Sequence, residues 1–553
     1  MGAYVNPSND SLLMDINGDI YIDKSLIFTV LSKKFRSPGR FMCVSRPRRF
    51  GKTMVGNMIS AFYSKGADSR AIFEKLQISK KEGWDEWLNK CNVIQIDLGE
   101  FYSRYSDSGD VIKSLKQVIL NEMIEEFPNV AINKEAPFSE AIVSVYTKTQ
   151  VPFVVIIDEY DVMVRERVAQ KDFASYLSLL NDLFKSTACG RAIGLAYVTG
   201  IMPIVRDRVQ SKLNKVFDER EQRELAHFAE RRKLRALPNF TEYTMMEPQE
   251  LAPYIGFTLK EVKALCKKFK MSYEECLRCY DGYHIAPKIS ICNSNSVCRA
   301  MTTHNFADYW SKTGAYAAIS DYIRMDFEGI KEDISKMIGG GSVSVNVTSF
   351  SNQMSDLNTK DKVFTYLIHL GYLVYSLDEK RNGVCKIPNG EIRTEWKNAI
   401  GDMKDMSKVF EMIRNSEELL EATLRCDEQA VAEALDKAHT YVTSAKYYNN
   451  EGALQSAVGL AYFSATSQYD IDQEVAGGYG FCDIAFKPYV KGAPGIIIEL
   501  KMDQSPEVGL AQIKKNKYVE ALGSYRGPAY LVAVSYGKES KKHTCRIEVV
   551  EKS

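Results

Sequence analysis

The stretch that most constrains this chain is Ser45 to Thr53, SRPRRFGKT, because of what flanks it. Phe41, Met42, Cys43 and Val44 precede it as a short apolar run, and Met54, Met58, Ile59 and Phe62 follow at helical spacing. Strand, loop and helix in that order bring backbone N–H groups and the positive end of a helix to one place, which suits phosphate. Arg46, Pro47, Arg48, Arg49, Phe50 and Gly51 would form the loop, Lys52 would reach the terminal phosphates, and the Thr53 hydroxyl would ligate Mg²⁺. The general pattern G-x-x-x-x-G-K-[ST] asks for glycine at position 46, where this chain has arginine.

A second stretch answers the first. Val151 to Ile157 is a continuous apolar run, as expected of a central parallel strand buried on both faces, and it ends in Asp158-Glu159-Tyr160-Asp161. An acidic turn closing a strand is common by itself. Paired with Lys52 and Thr53, it reads as the other half of an ATP site, with Asp158 on Mg²⁺ and Glu159 on the attacking water.

Near the other end, Phe481, Ile484 and Phe486 surround Asp483 in strand fashion, Lys491 to Gly495 turns the chain, and Ile496 to Lys501 returns. Side chains alternate faces along a strand, so Glu499 and Lys501 share a face and a neighbouring antiparallel strand can set Asp483 beside them. Two carboxylates for Mg²⁺ or Mn²⁺ and a lysine for water and phosphate make a phosphodiester-cleaving set. A salt-bridged surface strand gives the same letters, but the apolar setting IIIEL argues against a solvated face. Glu451, at the start of an earlier apolar helix, is either a further acidic ligand or a residue favoured near a helix N-terminus.

Together RPRRFGKT, YIDKS (Tyr21 to Ser25), IDEYD (Ile157 to Asp161), VTG (Val198 to Gly200) and CYDGYHI (Cys279 to Ile285) resemble the bacterial AAA-ATPase-like family whose members end in a PD-(D/E)XK nuclease domain. In that family the loop likewise begins with arginine. The resemblance implies ATP and Mg²⁺ at Lys52 and Thr53, a metal-binding Asp158, a catalytic base at Glu159, and a polar sensor at Thr199. It also implies an αβββαβ nuclease core, with Gln512 at a helix position that many relatives place near the site. The charged segment Val216 to Pro238 does not align to the family and leaves an arginine finger unassigned.

The fold expectation is therefore a multidomain α/β chain. Residues 1–225 would form a P-loop, AAA-like parallel sheet, 226–340 a helical lid, 341–425 a winged-helix-like module and linker, and 426–553 the nuclease-like domain. Thr258 and Glu261 have the spacing of a capping box at the start of a lid helix, and Gly339-Gly340-Gly341-Ser342 marks a break. Val363 to Leu370 reads as a helix, with Tyr372 to Tyr375 and Val384 to Ile387 as a two-strand wing, better suited to packing against the ATPase core than to DNA. At 553 residues, two or three apolar interiors are expected.

With 72 Lys and Arg against 71 Asp and Glu, the chain has no overall basic signature. Nucleic acid, the partner implied by a nuclease core, would meet local patches such as Lys514-Lys515-Lys517 or Lys538-Lys541-Lys542-His543, although solvated faces look the same. No stretch has the length and apolarity of a membrane helix and no signal segment opens the chain, so a cytoplasmic location without membrane attachment is expected. A homo-oligomer is compatible with an AAA-like core. Cys276, Cys279, Cys292 and Cys298 have spacings that admit zinc, but their apolar helical settings favour buried reduced thiols.

The function that these readings favour is ATP hydrolysis coupled to metal-dependent cutting of DNA or RNA, in a setting such as bacterial defence or mobile-element control. The alternative is a nucleotide-switched interaction module whose nuclease fold holds a partner without cutting.

Overall fold

A computed structural model of the protein describes residues 2–108, 110–166, 170–203, 240–286, 289–310, 329–350, 357–378, 380–401, 407–442, 451–489 and 492–552. The unaligned segment Val216 to Pro238 lies outside the described residues.

The first sheet contains β1 (Phe41–Ser45), β2 (Asn92–Asp97), β3 (Phe153–Asp158), β4 (Ile193–Gly200) and β5 (Thr241–Tyr243) in the order β2-β3-β4-β1-β5, every pair parallel. All positions of β1, β3 and β4 are buried, as a sheet covered on both faces requires. Alternation then divides β1 and β3: Met42, Val44, Val154 and Ile156 join one apolar cluster, while Phe41, Cys43, Val155 and Ile157 join another. Helix Lys52–Tyr63 crosses the first face, with Gly56 close to Ile156.

A small sheet follows, β6 (Phe257–Thr258), β7 (Tyr283–Ala286) and β8 (Ile289–Cys292), ordered β6-β8-β7 among helices Leu259–Phe269, Tyr273–Tyr280 and Ser294–Thr303. Thr258 and Glu261 complete the expected capping box. The expected two-strand wing is part of a three-stranded sheet, β10 (Val374–Leu377), β11 (Gly383–Lys386) and β9 (Val343–Ser344), because the chain leaving the glycine run adds β9 beside β11. This module packs on the loop that leaves β1. A Cβ at Gly371 would lie 2.8 Å from Pro47, and Tyr283 Oη donates to the Gly371 carbonyl at 2.8 Å.

The last sheet runs in sequence order through β12 (Tyr469–Gly477), β13 (Gly480–Pro488), β14 (Gly495–Met502), β15 (Gly527–Gly537) and β16 (Lys542–Lys552). Only β14 and β15 are parallel, joined through helix Pro506–Asn516, and helix Glu451–Ala461 precedes the sheet. The order is αβββαβ with β16 added at the edge. The Gly339–Gly341 run is a close-packed junction. Gln473 Nε2 donates to the Gly339 carbonyl at 2.9 Å, and a Cβ at Gly340, whose φ is +90°, would fall 2.7 Å from the Ile471 carbonyl oxygen. One apolar cluster accordingly continues from Met42 through Trp396 to Ile484 and Val532.

Among the described residues, no helix is long and apolar enough to cross a membrane. All twelve cysteines are free thiols, and Cys266, Cys276 and Cys292 lie together in one apolar cluster. No group of three or more His, Cys, Asp or Glu among the described residues is arranged to hold a metal, so the zinc spacing does not become a zinc site.

Candidate active sites

At the first site, the turn from β1 into its helix is made by Arg49 (φ +66°) and Gly51 (φ +85°), which swing the chain so that Lys52 opens the helix. Lys52 is buried, and its Nζ donates to the carbonyls of Arg46 at 3.0 Å and Pro47 at 2.9 Å. Burial pushes its ammonium down to about 8, against the opposing pull of Asp158 and the other nearby carboxylates. Thr53 Oγ1 donates to Asp158 Oδ2 at 2.5 Å, joining the loop to the end of β3. Burial raises the Asp158 carboxyl despite that bond.

Arg46 occupies the position where the general pattern has glycine, and its side chain leaves the loop. Its guanidinium is fully buried between β1 and β5, where Nη1 donates to the carbonyls of Ser45 (2.8 Å) and Tyr243 (3.1 Å). Desolvation lowers it to about 10. Phosphate contact at this position would therefore fall to the backbone. Arg48 lies on the same loop, while Arg49 turns outward, its Nη1 donating to the Tyr309 carbonyl at 3.3 Å and its own carbonyl accepting from Asn295 N at 3.3 Å.

Glu159 has φ +49°, and its carboxylate is met by Arg165 rather than by Lys52 or Thr53. Thr199 lies in β4 with its hydroxyl buried, and its carbonyl accepts from Tyr160 N at 3.1 Å. Asp97 and Asp161 were not singled out by sequence. Asp97 ends β2 opposite Asp158 in register, and burial followed by the two neighbouring carboxylates raises it. Its signal was the run NVIQID, which ends in an acid as β3 does.

Beside Phe50 and Gly51 lies a cavity of about 300 Å³ walled by Tyr21, Ile22, Met54, Met58, Tyr254 and Phe257. The N-terminal segment and the stretch from Pro253 to Glu261 that wall it are tied by Lys24, which bonds Glu261 at 2.6 Å and the Pro253 carbonyl at 2.8 Å.

The second site forms where a sheet loses its regularity. The β13–β14 ladder stops at Ile484↔Ile498, one step before Asp483 would face Glu499, and the β12–β13 ladder omits the pair Glu474↔Asp483, with Glu474 at φ +53°. The β12–β13 register is the same on both sides of the omitted pair, so the strands part locally at Asp483 without an inserted residue. Asp483 Oδ2 accepts Leu500 N at 2.7 Å, which brings its carboxylate to the strand that carries Glu499 and Lys501. Lys501 Nζ donates to Glu499 Oε1 at 2.7 Å, and both side chains are buried under helix Pro506–Asn516. Gly509 lets that helix approach: a Cβ there would lie 3.6 Å from the Cγ atoms of both residues.

Gln455, missed by sequence, donates from Nε2 to the Asp483 carbonyl at 2.7 Å. Glu451 begins the same helix, one turn earlier, and its side chain lies outside the described residues. Gln512 bonds the Tyr518 hydroxyl at 3.2 Å rather than the acidic pair. In the suggested basic patches, Lys514 pairs with Glu548, Lys538 with Asp503, and Lys542 and the buried His543 with Asp436.

Asp483 and Glu499 offer oxygen donors only, the set that suits Mg²⁺ or Mn²⁺, and water and phosphate oxygens would complete the shell.

Residues 13–210 match the family described as Predicted AAA-ATPase, and residues 449–544 match the PD-(D/E)XK nuclease superfamily. No curated protein matches the chain. Among solved structures it is similar to the Aeropyrum pernix ORC1 protein in complex with DNA, at 11% identity over 72% of this chain and 97% of that one, with a TM-score of 0.26. The Aeropyrum pernix ORC2 protein in its ADPNP-ADP complexes gives 11% identity, coverages of 69% and 96%, and a TM-score of 0.26. Replication initiator DnaA bound to AMPPCP and single-stranded DNA gives 14%, coverages of 76% and 97%, and 0.24. By the two family matches, the chain pairs a stretch similar to the AAA-ATPase-like proteins, at 13–210, with a later stretch similar to the PD-(D/E)XK nuclease superfamily, at 449–544.

Proposed function

We propose that the protein binds and hydrolyses ATP at the Lys52–Asp158 site and uses that cycle to control metal-dependent cleavage of nucleic acid at the Asp483–Lys501 site. The observation that carries the reading is the opening of the β13–β14 ladder at Asp483, which brings two carboxylates and a lysine from adjacent strands together. The adenosine would enter the apolar cavity beside Gly51, between Tyr21 and Phe257. Lys52 would exchange its two loop carbonyls for phosphate oxygens, Thr53 and Asp158 would hold Mg²⁺, and Glu159 would take a proton from water.

At the second site Asp483 and Glu499 would hold Mg²⁺ or Mn²⁺, which when bound lowers the cost of forming hydroxide and shields the phosphate. Lys501 would keep Glu499 oriented and place an ammonium beside the attacked phosphate. The domain limits 1–225, 226–340, 341–425 and 426–553 are part of this proposal.

The test incubates the full-length protein with single- and double-stranded DNA and RNA plus Mg²⁺ or Mn²⁺, with and without ATP, beside Asp483→Ala. Metal-dependent cutting lost in the variant supports the reading. Binding without cutting by the wild type under every condition would replace it with a nucleotide-switched interaction protein.

A further inference from the structure

The residue that the proposed ATPase needs as a base is already engaged. Glu159 Oε2 lies 3.1 Å from Arg165 Nη2, and Arg165, 7% exposed, stands at the end of the short helix Val162–Arg165. The other side of the guanidinium is anchored, with Nε 3.1 Å from Asp161 Oδ2. Asp161 is itself fully buried, accepting Ile201 N at 3.1 Å and Met202 N at 2.9 Å. A Cβ at Gly200 would fall 2.5 Å from Asp161 Oδ1, so the turn leaving β4 is closed onto this carboxylate. Arg165 therefore has one arm fixed to the core and one arm on Glu159, whose side chain is 44% exposed.

The direction of Glu159 matters. Its Oε2 lies 2.6 Å from the Cβ position of Gly99, just beyond β2. In the order β2-β3-β4-β1, β2 is on the far side of β3 from β1, the strand that feeds the phosphate loop. In hydrolysis the water oxygen bonds to the γ-phosphorus, the bond to the ADP oxygen breaks, and the water proton passes to the carboxylate. A carboxylate leaning over Gly99 with an oxygen on a guanidinium is turned away from that transfer.

We propose that Arg165 is a positioning residue that holds Glu159 in a resting orientation over Gly99, and that hydrolysis requires this ion pair to open. The inference rests on Glu159 being the base of an ATPase. Because Asp161 links Arg165 to the turn after β4, a shift of that turn would be felt at Glu159 through two bonded carboxylate–cation contacts.

The test compares full-length wild type, Arg165→Gln, Arg165→Lys, Glu159→Gln and the double variant Glu159→Gln/Arg165→Gln in steady-state Mg-ATP hydrolysis, with fluorescent-nucleotide binding and thermal melting alongside. Arg165→Gln is expected to raise kcat about fivefold or more while KM stays within about twofold, and the gain should vanish in the double variant. Arg165→Lys can keep the Asp161 pair while giving up the second arm, so it should show the same sign if Arg165→Gln does not fold. A lowered or unchanged kcat in a folded, nucleotide-binding variant overturns the proposal, as does a gain that persists without Glu159. If wild type and variants bind nucleotide but none hydrolyses it, the resting-pair proposal fails. If none binds nucleotide, the ATPase reading itself fails.

Discussion

Lys52 and Lys501 are equally buried beside carboxylates, but they are held differently. Lys52 donates to two carbonyls of its own loop, whereas Lys501 donates to Glu499, two residues back on the same face of one strand. A loop sets its lysine by backbone curvature, and the same ammonium can be handed from carbonyl to phosphate when a ligand offers more charge. A strand sets its lysine by the two-residue repeat, and nothing has to move for Lys501 and Glu499 to meet. The first site thus looks built to change state and the second to wait for metal and substrate.

The sharpest way to break that contrast is to cross the two sites. Asp483→Ala should lower metal-dependent cleavage about a thousandfold while ATP hydrolysis stays at the wild-type rate, and Lys52→Ala should abolish ATP turnover while leaving cleavage in the absence of ATP unchanged. Cleavage assays and phosphate release on the same preparations give both numbers. If Lys52→Ala also abolishes cutting in the absence of ATP, the sites are one unit and the contrast fails.

Arg46 sharpens it from the side of stability. Arg46→Ala should cost about 2 kcal/mol in urea unfolding, from lost packing and two buried hydrogen bonds partly offset by relief of its unpartnered Nε and Nη2. Arg46→Met, which refills the volume without charge, should recover most of that loss. ATP affinity should fall far less than in Lys52→Ala. A collapse of affinity in Arg46→Met would make the guanidinium a phosphate ligand after all.

What sequence could and could not reveal follows from range. The strand, loop and helix around Lys52, the apolar run ending in Asp158, and the Asp483…Glu499-x-Lys501 set are written locally, and the structure has the expected strands at each. The destination of Arg46 is not local, because it depends on Tyr243, 197 residues away. Strand β12 was required by the expected αβββαβ order but not located, and β16 was not anticipated, because edge strands carry polar residues along much of their length, as YDIDQEVAG and KHTCRIEVVEK do. Arg165 drew no expectation from the sequence, since nothing in the spacing announces that it bridges Glu159 and Asp161. The glycine run at 339 reads in sequence only as a break, because only the arrival of Gln473 and Ile471 makes its missing side chains necessary.

Acidity offers the next test of the first site. Burial holds Lys52 at about 8, so in the nucleotide-free protein the ammonium is largely lost by pH 9. Phosphate selects the charged form, and ATP Kd should therefore rise about tenfold between pH 7 and pH 9. The same linkage has the opposite sign for folding: the unfolded lysine keeps its proton to higher pH, so this group's contribution to stability grows as pH rises from 8 toward 10.5. Fluorescent-nucleotide titrations across pH check the first statement, with Lys52→Ala expected to lack this step.

The smallest effect tests how closely the second site is set in advance. A Cβ at Gly509 would meet Ala533 Cβ at 3.0 Å and the Cγ atoms of Glu499 and Lys501 at 3.6 Å. Gly509→Ala should gain about 0.5–1 kcal/mol of helix propensity and spend a comparable amount lifting the helix by a few tenths of an ångström. Stability would then hardly change, while the roof over the carboxylate–lysine pair would move. Cleavage should fall a few-fold, with ATP turnover unaffected, because positioning losses appear in rate before they appear in folding. A melting temperature that rises together with unchanged cleavage would mean the helix has room to spare above Glu499, and that this site, like the first, tolerates adjustment.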